Sequence, residues 1–147
     1  MQYRILTETD FQNRKKGHRM TYGFSKKVNM RYETAVEKVT SELQKEGFGV
    51  LTEIDVRATM KKKLNVDTGP YKILGACNPP LAHKALTTEP EIGLLLPCNV
   101  IVYESGPEET TVAAIDAKAM MSVVGRDDIL PVAEQVNAKL KRVIENV

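Results

Sequence analysis

The chain has 147 residues, 42% hydrophobic and 27% charged, with a net charge of +2. That size and balance describe one globular domain able to bury its core without a disulfide or metal staple, and no run approaches the ~20 apolar residues of a membrane helix. Residues 1–19 carry five positive and two negative groups, so residues 20–147 are nearly neutral at −1; with 5% aromatics and no tryptophan, neither charge nor base-stacking surface supports nucleic-acid binding.

The first nineteen residues lack apolar periodicity and contain Asn13-Arg14-Lys15-Lys16-Gly17, which reads as a flexible basic leader. It is either an arm for an acidic partner or an upstream extension with translation starting at Met20. The second reading is favoured, because Lys15-Lys16-Gly17 is encoded by A- and G-rich codons that suit a bacterial ribosome-binding sequence at that distance. His18 lies in this leader without an evident partner. The leader has no central apolar block, so it is not a secretory signal. With only two cysteines in the chain, the expected setting is reducing and cytoplasmic.

From Met20 the pattern predicts a single domain over 20–147. A strand is expected over about 21–28, then a helix over about 31–46 with Tyr32, Val36, Val39 and Leu43 at helical spacing, capped by Asn29 and ended by Gly47. Phe48, Val50, Ile54 and Val56 alternate as a strand, with Leu51, Glu53 and Asp55 on its other face. A short helix over 57–64 follows, with Val56, Met60 and Leu64 on one stripe, and Asn65, Asp67, Gly69 and Pro70 as turn residues. Residues 71–77 form a strand with Tyr71, Ile73, Gly75 and Cys77 on one face. Asn78 is a natural N-cap and Pro79 a natural first helical residue, opening a helix that buries Leu81, Ala82, Ala85 and Leu86.

Residues 98–104 are apolar on both faces, as in a central strand. Gly106-Pro107-Glu108-Glu109 turns the chain into a fifth strand over 110–115. The last helix is expected over about 128–146, capped by Asp127 or Asp128, with Val132, Val136, Leu140 and Val143 on its stripe. The fold class is α+β, in the order β-α-β-(α)-β-α-β-β-α: a mostly antiparallel or mixed sheet with the long helices packed on one face.

Two local patterns concentrate the chemistry. Cys77-Asn78-Pro79 and Pro97-Cys98-Asn99 each place a cysteine-asparagine step beside a proline at the edge of an apolar run, and these are the only cysteines. Cys77 precedes a helix N-terminus, whose free N–H groups favour an anion such as a thiolate. Against this stands the common role of a strand cysteine as small core filler. If Cys77 and Cys98 are neighbours, their rim can hold a soft metal, form a reversible disulfide, or simply organise two turns. No zinc-type Cys/His spacing is present.

Asn78 and Asn99 can both be structural. Glu53 and Asp55 are surface acids if their face is solvated and site candidates if a helix covers it. Arg57 with Lys61, Lys62 and Lys63 forms a basic cluster, more often a solvated helix face than a phosphate site. His83 lies further along the Cys77 helix. No Walker-type loop, GxGxxG, GxSxG or HExxH occurs.

The stretch Gly47-Phe48-Gly49-Val50-Leu51-Thr52-Glu53-Ile54-Asp55-Val56, the following Lys61-Lys62-Lys63-Leu64, and the two cysteine blocks Tyr71–Ala82 and Pro90–Val100 resemble domain-of-unknown-function family 302, over about residues 20–147. The resemblance implies a small α+β domain, typically prokaryotic and dimeric. It supplies no activity and no catalytic residues.

The leading expectation is a cytoplasmic, homodimeric binding domain. Its site would be a cleft where Cys77-Asn78 and Cys98-Asn99 meet, with Glu53, Asp55, Lys62 and His83 as walls, and its ligand a soft metal, a haem-like cofactor, or a thiol-reactive or sulfur species. Cys77, Cys98 and His83 are the candidate metal ligands. One alternative is an enzyme with Cys77 as nucleophile and His83 or Glu53 as base; another is an interaction module whose cysteines are only core.

Overall fold

The computed structural model describes residues 21–147; the leader, His18 and the proposed start at Met20 lie outside them. Five strands, β1 (Gly23–Val28), β2 (Gly49–Asp55), β3 (Tyr71–Cys77), β4 (Cys98–Gly106) and β5 (Glu109–Ile115), form one sheet in the order β1-β5-β4-β3-β2. Every neighbouring pair is antiparallel, and β4 is central, as its two apolar faces lead one to expect.

The helices are α1 (Tyr32–Lys45), α2 (Val56–Leu64), α3 (Pro79–Thr88), α4 (Ala117–Met121) and α5 (Leu130–Asn146). Val39 and Leu43 of α1 and Leu140 and Val143 of α5 are fully buried, together with Leu74, Val100, Val102 and Val112 of the sheet. Each such side chain contributes about 1.5–3 kcal/mol relative to exposure, so the two long amphipathic helices and one sheet face hold the domain together. The second sheet face carries Ile54, Ile73 and Ile101 in adjacent register and stands outside this core. Tyr71 and Tyr103 stack on it, with centroids 5.3 Å apart.

Helix α1 ends in a Schellman motif. Gly47 has φ +82°, its N–H donates to Gln44, and the Phe48 N–H donates to the Leu43 carbonyl at 2.9 Å. Its start differs from expectation. Arg31, not Asn29, occupies the cap position, and no side chain caps it; the preceding Met30 carbonyl is instead taken by Thr110 Oγ1 at 2.8 Å. The start of α5 differs likewise. A single 3-10 turn, Asp127–Ile129, precedes it and no side chain caps it, while Asp128 is held by Arg126 through two bonds of 3.0 and 2.7 Å.

Strand β2 departs most from its sequence pattern. Val50 pairs with Ala76 and Thr52 with Gly75, leaving Leu51 as a bulge. A single inserted residue swaps the faces of everything after it. Val50 and Glu53 therefore share the core side, opposite Ala76 and Leu74, while Ile54 turns to the second face opposite Ile73. Period-two reading across the bulge reverses that assignment. As the edge strand, β2 leaves Leu51 and Ile54 exposed. Helix α2 buries none of its side chains, so its Val56–Met60–Leu64 stripe packs no core.

Candidate functional site: an apolar cavity carrying both thiols

Asn78 organises the end of β3. Its Oδ1 accepts from the Leu81 N–H at 3.4 Å, capping α3, and its Nδ2 donates to the Glu46 carbonyl at 3.3 Å. Pro79 follows as the first helical residue, where its missing N–H costs nothing. The cap thus fixes where α3 leaves the sheet and ties it to the loop that ends α1. Gly47 is needed twice over: its φ is positive, and a Cβ there would lie 3.2 Å from Asn78 Nδ2.

Beneath α3, where β3 finishes and β4 begins, lies a cavity of about 320 Å³. Phe48, Ala76, Leu81, Ala85, Val132 and Val136 are among the residues that form its apolar walls, and Leu51 and Leu86 also line it. Thr52 and Pro97 reach the cavity because Gly75 leaves room: a Cβ on Gly75 would collide with both. Among the described residues, none that lines the cavity is Asp, Glu, His, Lys or Arg.

Both cysteines line this cavity, and both are free thiols. Cys98 lies opposite Ala76, one position short of Cys77, so the pleat sends the two side chains off opposite faces of the strand pair. They meet in one cavity because it sits at the sheet's end. Such staggered Cβ vectors do not favour a bridge without backbone movement. Cys98 is buried and Cys77 partly exposed. Burial, and secondarily the neighbouring Cys77, pushes the Cys98 thiol up to about 11, so it is neutral at physiological pH.

The other residues singled out from the sequence do not line the cavity. Asn99 is exposed and pairs with Gly75. Glu53 is exposed and sits 3.7 Å from Lys72. Asp55 caps α2, its Oδ1 accepting from the Ala58 N–H at 2.9 Å. Those two acids act instead on Tyr32, whose hydroxyl is raised first by burial and then by Asp55, Glu33 and Glu53. Lys62 is exposed on α2, and His83 is exposed on α3. Arg57 pairs with Asp67 through bonds of 3.0 and 3.1 Å, which withdraws it from the basic cluster. Among the described residues, no three His, Cys, Asp or Glu side chains gather as a metal site.

Met121, Val132 and Val136 complete the walls from a distant part of the chain. No sequence signal marks them, because a cavity-lining apolar residue on an amphipathic stripe reads the same as a core residue.

The family model described as "Domain of unknown function DUF302" matches residues 24–147. No curated protein matches the sequence. Among solved structures, the fold is similar to that of an uncharacterized conserved protein DUF302 from Bacillus stearothermophilus, with a TM-score of 0.80 and 22% identity, over 86% of this chain and 98% of that one. No helix among the described residues is long and apolar enough to cross a membrane.

Proposed function

We propose that this chain, which belongs to the DUF302 family, is a binding domain for a small, uncharged, apolar organic ligand held in the cavity beneath α3. The observation that carries this reading is a volume of about 320 Å³ with both thiols in its wall and, among the described residues, no charged side chain lining it. Ligand pockets run from ~300 to ~1,000 Å³ and are mostly apolar with a few polar groups, so the cavity suits a ligand at the small end of that range.

This reading shares the cysteine rim with the expected soft-metal or haem-like site but changes the ligand class. A closed soft-metal site takes about four donors, and the cavity contributes two thiols. The enzyme reading lacks support in the wall, where neither His83 nor Glu53 stands beside Cys77. The interaction-module reading leaves the volume without an occupant. The homodimer implied by the family resemblance is assigned to the second sheet face, whose Ile54, Ile73 and Ile101 form an uncharged band suited to a self-complementary two-fold contact.

Fluorescence titration with Nile red tests the cavity. Saturable binding at one site per chain, weakened by Ala82→Phe, which fills the space, and by Leu86→Glu, which charges the mouth, supports the reading. No binding, or binding indifferent to both substitutions, overturns it.

A further inference from the structure

The two thiols of the cavity are not equivalent. Cys98 is buried and protonated at physiological pH, whereas Cys77 is partly exposed on the same wall. A cysteine needs no activating partner to react slowly with a soft electrophile. Among the described residues the walls hold no carboxylate, imidazole or amine. Acyl transfer, which needs proton transfer to a leaving group and a base for the water that follows, has no machinery there. Addition to an activated double bond needs neither. The mouth favours an apolar tail, because Leu51 and Leu86 line the cavity and are still 68% and 40% exposed.

We infer that Cys77 is a covalent capture site for apolar α,β-unsaturated ketones, the alkyl tail lying in the cavity and the double bond at the thiol. The inference rests on the cavity being a ligand site, as proposed above. The Cys77 Sγ forms a bond to the β-carbon, the carbon–carbon π bond breaks, and its electron pair passes through the enolate to the α-carbon. That carbon takes a proton from water, replacing the one the thiol gave up. The net change is addition of S–H across the double bond, with no leaving group and no oxidant. With no acid or base in the wall to carry the adduct onward, it accumulates, which suits capture or sensing and not turnover.

Pentyl vinyl ketone and methyl vinyl ketone carry the same reactive group and differ only in tail, so their rates with the full chain, each divided by the rate with glutathione, isolate the cavity's contribution. Intact mass and peptide mapping read the adduct. The expected result is one adduct at Cys77, with the normalised pentyl rate exceeding the methyl rate by about tenfold through positioning. Cys77→Ser abolishes the adduct, and Ala82→Phe or Leu86→Glu, both at cavity-lining positions, brings the normalised pentyl rate down to the normalised methyl rate. Equal normalised rates, or adducts mainly elsewhere, overturn the inference. If Nile red binds while the pentyl advantage is absent, capture falls and the cavity reading stands; if Nile red also fails to bind, both fall.

Discussion

Asn78 Nδ2 donates to the carbonyl of Glu46, 32 residues earlier, at 3.3 Å, while Oδ1 of the same amide caps α3. One side chain therefore holds together the end of α1, the end of β3 and the start of α3, the junction above the cavity. Asn78→Ala removes the cap and the tether and is expected to cost about 1–2 kcal/mol, read as a lower urea midpoint at unchanged slope. Asn78→Asp keeps the cap acceptor and loses only the donor, so its loss is smaller. Equal losses for the two variants would show that the tether to Glu46 carries the whole effect.

Gly47 stands against the same amide, with φ +82° and a would-be Cβ only 3.2 Å from Asn78 Nδ2. Gly47→Ala is expected to cost at least about 1–2 kcal/mol from the left-handed backbone alone, measurable by thermal or urea unfolding. Gly49→Ala is the control, since a Cβ there meets nothing within 4 Å.

Glu46 also joins α1 to α5, accepting from Arg142 Nε and an Arg142 terminal nitrogen at 2.8 and 3.0 Å. The Arg142 guanidinium holds its carboxyl below the usual value. A depressed folded pKa stabilises the fold above the unfolded carboxylate value of about 4.3 and loses that contribution as pH falls through the folded value. Wild type and Glu46→Gln should therefore differ in stability at neutral pH and converge in acid. A difference that persists unchanged below the folded value would show that the pair contributes packing and not charge.

Cys98 makes the opposite demand at high pH. Its thiol ionises only at about 11 in the folded chain, against about 8.5 when unfolded, so the unfolded state gives up this proton first and stability falls as pH rises through that window. Cys98→Val should flatten the alkaline limb of the stability curve. At neutral pH a thiol reagent should label Cys77 quickly and Cys98 only after unfolding. Two fast thiols in the native chain would contradict the burial of Cys98.

If the second sheet face pairs two copies, a charge in its middle should separate them. Ile73 is partly buried there, opposite Ile54 and Ile101. Ile73→Glu is expected to shift sedimentation from dimer to monomer with the far-ultraviolet spectrum retained. A coefficient unchanged at the dimer value would move the contact elsewhere, and a monomer value for the wild type would remove the dimer.

Local chemistry was enough for much of the architecture. The periodicity of α1 and α5, the β4–β5 hairpin turn, Asn78 with Pro79 at the start of α3 and Gly47 at the end of α1 are each decided by neighbours within a turn or two, so they can be read along the chain. Likewise the two apolar faces of β4 marked it as central. The cap of α1 could not be read this way: Asn29 lies two residues before the cap position held by Arg31, and the intervening Met30 carbonyl accepts from Thr110, on a strand 80 residues later.

The α+β order, the apolar stripes and the suspicion attached to two cysteines are legible in local pattern. The Leu51 bulge that reverses the faces of Glu53 and Ile54, the arrival of Cys77 and Cys98 at one cavity from opposite sides of the pleat, and the walls supplied by Val132 and Val136 become visible once strands pair and helices pack. A strand's register is set by pairing with its neighbour, and a cavity is the space between elements distant in sequence. Neither quantity is a property of any single stretch of chain.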